Sequence, residues 1–254
     1  MESILEFSIY WIIALAFVGF CAGYIDAVAG GGGMLNLPAL LFAGVPPVSA
    51  LAVSKMSAIA GTVLAVIKYT LSKKVHWQTV FIAAIPCLVA SYLGGKLALT
   101  ISATVLAWAI LICIPIALFV VLRDSNDSDE AEVVDVPKTL MAITPIGFYD
   151  GILGPGTGTY MTIAVRKILK FDLLKATATI KPLNLLSNIG AGIAFILAGK
   201  VIWSIAIPML VASSVGGWLG SHSAIKGGEV FIRRLLIVVL TIMLIANLYK
   251  MFLT

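Results

Sequence analysis

Lys55 and Lys181 each lie well inside an apolar stretch, and they hold the same position in two copies of one repeat. Gly19-Phe20 matches Gly147-Phe148 at an offset of 128, and once a two-residue gap is closed Gly30-Gly31-Gly32 falls on Gly156-Thr157-Gly158 at an offset of 126. The offset of 126 then pairs Lys55 with Lys181, Tyr69 with Phe195, and Val75 and Trp77 with Val201 and Trp203. An ammonium at the centre of a bilayer costs about 3 kcal/mol on insertion scales. Two such lysines at equivalent positions, each downstream of a Gly-rich break, point to a pseudo-symmetric anion site.

The chemistry around the lysines fits the same reading. Glycine runs let backbone N–H groups come close to a ligand. Each run here also precedes a new helix, whose first turn offers unpaired N–H groups and a positive dipole end. Gly31, Gly32, Gly156, Thr157 and Gly158 are therefore candidate anion contacts, against the plainer reading that small residues only pack helices closely. No Gly-Lys-Ser/Thr follows and no strand alternates with helix, so neither a P-loop nor a dinucleotide fold is indicated. Lys181, Asn184 and Asn188 stand at i, i+3 and i+7, one polar stripe on an apolar helix that Pro182 should start or kink. The matching stripe is Lys55, Ala58 and Thr62, with Ser54 and Ser57 nearby, which adds Ser57 and Thr62 as candidate donors. For the asparagines the competing role is an interhelical hydrogen bond. For the lysines it is a buried ion pair with Asp26 or Asp150. These aspartates are not repeat equivalents, since Asp26 aligns with Gly154 and Asp150 with Ala22. Each is a counter-ion, a cap on a broken helix or a proton carrier; counter-ion or cap is favoured, with Asp150 the first choice if a proton is carried. His76 and His222 read as solvated interfacial residues at segment ends. Cys21, Cys87 and Cys113 read as small buried core residues, because an odd, irregular set suggests neither disulfides nor a metal site. No catalytic residues and no cofactor are expected.

These residues need a membrane scaffold to hold them. The chain is 61% hydrophobic and 11% charged, which places it among integral membrane proteins. Glu2 and Glu6 precede the first apolar run where a signal peptide would carry basic residues, so that run is expected to stay as a helix. Ten apolar segments are predicted, roughly 8–27, 34–44, 48–71, 78–98 and 102–122, then 138–153, 158–168, 174–198, 202–221 and 230–252. The second and seventh would rise only about 16 Å as helix, half of a ~30 Å hydrocarbon core, so they are expected to be short broken or re-entrant helices. Non-helical backbone at that depth must be buried in protein or line a cavity.

The predicted fold is all-α and integral to the membrane. It has an N-terminal repeat (1–122), an acidic cytoplasmic linker (123–137) that is solvated and mobile, and a C-terminal repeat (138–254). Five segments per repeat make the second repeat inverted. With both termini outside, the inner loops hold twelve lysines and arginines and the outer side keeps Lys96, Lys200 and Lys250, in line with the positive-inside rule.

The strings Ile25-Asp26-Ala27-Val28-Ala29 before four glycines, Leu37-Pro38-Ala39-Leu40-Leu41-Phe42-Ala43-Gly44-Val45-Pro46-Pro47, and Gly147-Phe148-Tyr149-Asp150-Gly151 followed by Gly154-Pro155-Gly156-Thr157-Gly158 resemble the TauE/SafE sulfite-exporter family, its YfcA-like branch in particular. Ala176-Thr177-Ala178-Thr179-Ile180-Lys181 with Asn184, Ser187 and Asn188 is similar to the signature of the family's second repeat. The likeness spans nearly the whole chain outside the acidic linker. It departs at Ser54, where the branch commonly carries Asn before the first lysine. The resemblance implies transport of a small sulfur-containing anion (sulfite, a sulfonate or a related organosulfur acid) across the bacterial inner membrane. An anion channel and an intramembrane sulfur-relay or accessory subunit, with Cys21 as its candidate cysteine, are the competing readings. The expected partners are a small anionic substrate and the lipid bilayer, with no nucleic acid; self-association into a homo-oligomer stays open.

Overall fold

A computed structural model describes residues 8–102, 104, 105, 108 and 134–253. Most of the predicted fifth segment and of the acidic linker, and Cys113 with them, lie outside the described residues. The described chain folds into α1 (Ile9–Ala29), α2 (Gly32–Phe42), α3 (Pro47–Leu71), α4 (Trp77–Ala98), α5 (Val136–Ile152), α6 (Thr157–Leu169), α7 (Leu173–Leu197) and α8 (Trp203–Leu253). Among these, α1, α3, α4, α7 and the Trp203–Leu235 part of α8 are long and apolar enough to cross a membrane. The two helices that follow the Gly-rich breaks, α2 and α6, are short, at 11 and 13 residues.

Side-chain caps start two of the helices, and a glycine ends a third. Asp135 Oδ1 accepts the Lys138 N–H at 3.1 Å and starts α5, and Asp172 Oδ1 accepts the Lys175 N–H at 2.7 Å and starts α7. The Lys138 hydrogen bonds and charge also hold the exposed Asp135 carboxyl below the usual carboxylate range. At the other end of α1, Gly30 turns left-handed (φ 73°) and gives its N–H to the Asp26 carbonyl at 2.7 Å. Pro182 does not start α7, which runs through it from Leu173 to Leu197; the missing N–H leaves the Ala178 carbonyl without its helical donor. The ninth and tenth predicted segments both lie in α8, which is two helices meeting at a kink where Gly228 leaves helical geometry (φ 62°, ψ −160°); the first of them runs past 221 as far as that break. His222 is therefore an exposed residue within a helix and not at a segment end.

Glycine contacts reveal how the helices run. Gly19 and Gly23 of α1 abut Met209 and Ser213 of α8, and Gly61 of α3 also meets Ser213, so α8 runs parallel to both α1 and α3. In the same way α4 runs parallel to α5, where Gly147 meets Cys87 and Gly151 meets Ser91. It also runs parallel to α7, where Cys87 and Ser91 donate to the carbonyls of Leu183 and Ser187. The fourth helix of each half thus packs on the first and third helices of the other half. Such backbone-to-backbone approach is how helices associate where lipid removes the hydrophobic drive between them.

Helices α3 and α7 are antiparallel. Leu51 at the start of α3 clusters with Ala191 and Phe195 late in α7, while Tyr69 at the end of α3 clusters with Leu173 and Ala178 early in α7. The Tyr69 end carries Lys68, Lys73, Lys74 and Lys175. There the His76 N–H donates to Thr179 Oγ1 at 3.1 Å, the His76 ring meets Phe171 edge-on, and Lys175 lies over that same Phe171 ring. The opposite end keeps Lys96 and Lys200. Phe17, Phe81, Ile85, Leu197 and Val211 are exposed on the outside, an apolar surface suited to lipid.

Candidate functional site

The two Gly-rich breaks touch. A Cβ on Gly30 would sit 2.4 Å from the Cα of Gly158, so both positions must be glycine for the strands of backbone to come this close. Thr159 Oγ1 ties the contact by donating to the Ala29 carbonyl at 2.8 Å. Beside it lies a cavity of about 20 Å³, walled by residues of α1, α3, α5 and α7 and by both breaks.

Lys55 lines this cavity, whereas Lys181 does not and meets it only through Asp26; each lysine is paired with an aspartate of the other half. Lys55 of α3 stands 2.7 Å from Asp150 Oδ1 of α5. Lys181 of α7 stands 3.2 Å from Asp26 Oδ2 of α1 and also donates to the Asp26 backbone carbonyl. The two lysine side chains are 5% and 0% exposed, so these are desolvated charges that must be compensated where they lie. Asp26 is further held by the Gly32 N–H on Oδ1 at 3.4 Å and by the Thr62 hydroxyl on Oδ2 at 3.2 Å. Asp150 accepts only from Lys55; its Oδ2 is buried with no donor among the described residues, as is Asn184 Oδ1.

The remaining sequence candidates divide. Lys55, Gly158, Asn184 and Asn188 line the cavity together with Asp26 and Asp150. Gly32 and Thr62 act one step back, as donors to Asp26. Ser57 instead gives its hydroxyl to the Met209 carbonyl at 3.3 Å and serves the α3–α8 contact. The Thr157 hydroxyl closes the turn onto the Gly154 carbonyl at 2.8 Å, Gly156 supplies the left-handed cap of α6, and Gly31 caps α2 without lining the cavity. Asn188 turns its amide back to the Asn184 carbonyl at 2.8 Å.

Among the glycine and polar residues of the lining, Gly30, Gly33 and Gly154 escaped notice as site residues, and Ser54 was noted beside the Lys55 stripe without a role at the site. The signal for them was present. Asp26 precedes the left-handed Gly30 by four residues, and Asp150 precedes the left-handed Gly154 by the same four, a register that offsets of 126 and 128 hide. In space the two aspartates occupy matching places in the last turn before each break.

Of the two described cysteines, Cys87 rather than Cys21 lies beside the site. It is buried, within electrostatic reach of Asp150 and Lys55, and its thiol donates to the Leu183 carbonyl at 3.5 Å. Cys21 is half-buried on α1 and does not line the cavity. Among the described residues no group of three His, Cys, Asp or Glu side chains is placed to hold a metal ion.

A chain whose described elements are all helices, five of them apolar and of membrane-crossing length, folded around buried opposed charges, is a multi-pass membrane protein with an internal polar site. It belongs to the TauE/SafE family: the family model described as sulfite exporter TauE/SafE matches residues 15–247. The probable membrane transporter protein YfcA of Escherichia coli (strain K12) is 36% identical over 238 residues, covering 92% of this chain and 88% of its own. The probable membrane transporter protein ORF9 of Sinorhizobium sp is 36% identical over 235 residues, covering 91% and 90%. A probable membrane transporter protein of Haemophilus influenzae (strain ATCC 51907 / DSM 11121 / KW20 / Rd) is 32% identical over 231 residues, covering 89% and 91%. These names point to a membrane transporter rather than an enzyme. No solved structure matches the chain.

Proposed function

We propose that this protein is a secondary transporter that moves a small sulfur-containing anion, such as sulfite, a sulfonate or a related organosulfur acid, across the bacterial inner membrane. The observation that carries the reading is the pair of crossed ion pairs, Lys55–Asp150 and Lys181–Asp26, at the meeting point of the two breaks. A cation held by a carboxylate that must let go is a site an anion can claim by exchange. The cavity has room for about one water and none for an oxyanion, so binding requires the halves to move apart. That requirement favours alternating access over an open pore.

The antiparallel run of α3 and α7 and the exchanged packing of α4 and α8 support two inverted repeats, 1–122 and 138–254, joined by a linker at 123–137. The excess of lysine at the Tyr69 end supports an orientation with that end and the linker in the cytoplasm and both termini periplasmic. Alkaline phosphatase fused after Thr254 should then be active, and fused within the linker inactive; the reverse pattern would overturn the orientation.

The deciding experiment is uptake by proteoliposomes offered a panel of sulfur oxyanions. Saturable flux of at least one, with competition among panel members, is expected. Conductance without saturation would favour a channel, and no flux of any member would remove the anion reading.

A further inference from the structure

Resting on the anion reading, the charges around the cavity also specify what travels with the anion. Lys55 and Lys181 are balanced by Asp26 and Asp150, all four side chains being no more than 12% exposed. The site is neutral as it stands, so an arriving oxyanion would bring an uncompensated charge into a desolvated region, at a cost of several kcal/mol per ion. A cation or proton must arrive with it.

The polar atoms show where that positive charge can land. Asp26 has both oxygens satisfied, by Gly32 on one side and by Thr62 and Lys181 on the other. Asp150 has Lys55 on Oδ1 and no donor on Oδ2, and Asn184 Oδ1, also buried, has no donor either. Both residues line the one cavity. Two orphaned acceptors are too few for a metal cation, which takes roughly six oxygens, and an ammonium already stands 2.7 Å from Asp150. They do suit a single hydrogen, because a buried acceptor left bare costs about 1–3 kcal/mol and one shared proton satisfies both.

We infer that one proton binds at Asp150 Oδ2 for each monoanion transported, and that Asn184 Oδ1 accepts the resulting O–H hydrogen bond, directly or through one water. The carboxylate gains H⁺ and becomes a neutral acid, its pairing with Lys55 lapses, and the Lys55 ammonium is free for the anion. With a monoanion bound, two lysines then balance Asp26 and the substrate. Proton and anion each strengthen the binding of the other. The titratable groups facing Asp150 are Lys55 from α3, Cys87 from α4, and Asp26 of α1 across the cavity, with Lys181 of α7 behind Asp26. On its own helix Tyr149 turns its hydroxyl to the Pro155 carbonyl, and Tyr160 of α6 packs against that Tyr149 ring.

Infrared difference spectra of the purified full-length protein in lipid bilayers, recorded on lowering the pH and on adding sulfite, test the proton site apart from transport. A protonated-carboxyl C=O band is expected in the wild type, absent in Asp150→Asn, and shifted in both Asn184→Leu and Asn184→Ala, so that either folded variant suffices. A band that survives Asp150→Asn, or stays in place in a folded Asn184 variant, overturns the inference. In proteoliposomes, uptake of hydrogensulfite or methanesulfonate should bring in one proton per anion, read by a trapped pH dye, and an imposed membrane potential should change its rate less than twofold. Flux that carries net charge without protons also overturns it. The band without flux of either anion would leave the proton site standing and sink the anion reading instead.

Discussion

Replacing Lys55 by methionine leaves the Asp150 carboxylate buried, its side chain 2% exposed, with no donor on either oxygen. Removing one partner of a buried pair costs about 3–5 kcal/mol, because the remaining charge keeps its desolvation penalty and loses its compensation. In a chain of this length that corresponds to a melting temperature lower by about 6–20 °C. Asp150→Leu should cost a similar amount by stranding Lys55. The double variant Lys55→Met/Asp150→Leu strands neither charge, and apolar replacement of a whole buried pair is often neutral or stabilising. It should therefore melt near the wild type, giving a coupling energy of at least ~2 kcal/mol between the two sites. Thermal unfolding of detergent-purified protein followed by size-exclusion chromatography measures the stability side, and proteoliposome flux measures the other. The double variant should be folded and transport-inactive, since the ammonium that the anion claims is gone. Single variants whose costs simply add to within ~0.5 kcal/mol in the double would refute the pairing. A double variant that is stable and transports like wild type would show that the pair holds the fold and does not bind the anion.

Three further outcomes are expected. Lys181→Ala should abolish flux in protein that still reaches the membrane, and Lys181→Arg should not restore it fully, because a planar guanidinium does not replace a compact ammonium in a site closed around it; wild-type flux in the alanine variant would place the anion site elsewhere. Gly30→Ala, with its Cβ 2.4 Å from Gly158, should force the breaks apart and sharply reduce folded yield, whereas Gly31→Ala, with no neighbour nearer than 3.7 Å and φ −113°, should express normally; equal yields would contradict the close contact. Asp135→Ala removes the cap of α5 and should lower stability by about 0.5–2 kcal/mol while leaving saturable flux unchanged.

The membrane class, the long helices and the two short ones after the breaks follow from the sequence, because they depend on local composition. A run of apolar residues must be helical to satisfy its backbone in lipid, wherever its neighbours lie. Residues 48–71 and 174–198 were legible on these terms to within one residue, as α3 and α7. The separation of the last two segments was legible as well, with the break falling at Gly228, between the predicted 202–221 and 230–252. The lysines themselves were legible because a buried ammonium is costly enough to stand out in any apolar stretch.

Which carboxylate answers which lysine was decided by the tertiary structure alone. Lys55 and Asp150 lie 95 positions apart, and Lys181 and Asp26 lie 155 apart, so no spacing rule links them. Each pair forms only because α3 and α7 run antiparallel and the two breaks abut at Gly30 and Gly158. Side-chain assignment followed the same logic. Ser57 and Asn188 have the right chemistry and the right spacing, but Ser57 donates to α8 and Asn188 to its own helix. A hydroxyl or amide in the sequence announces only that a hydrogen bond will be made. Where it is made depends on which backbone carbonyl packing brings within reach.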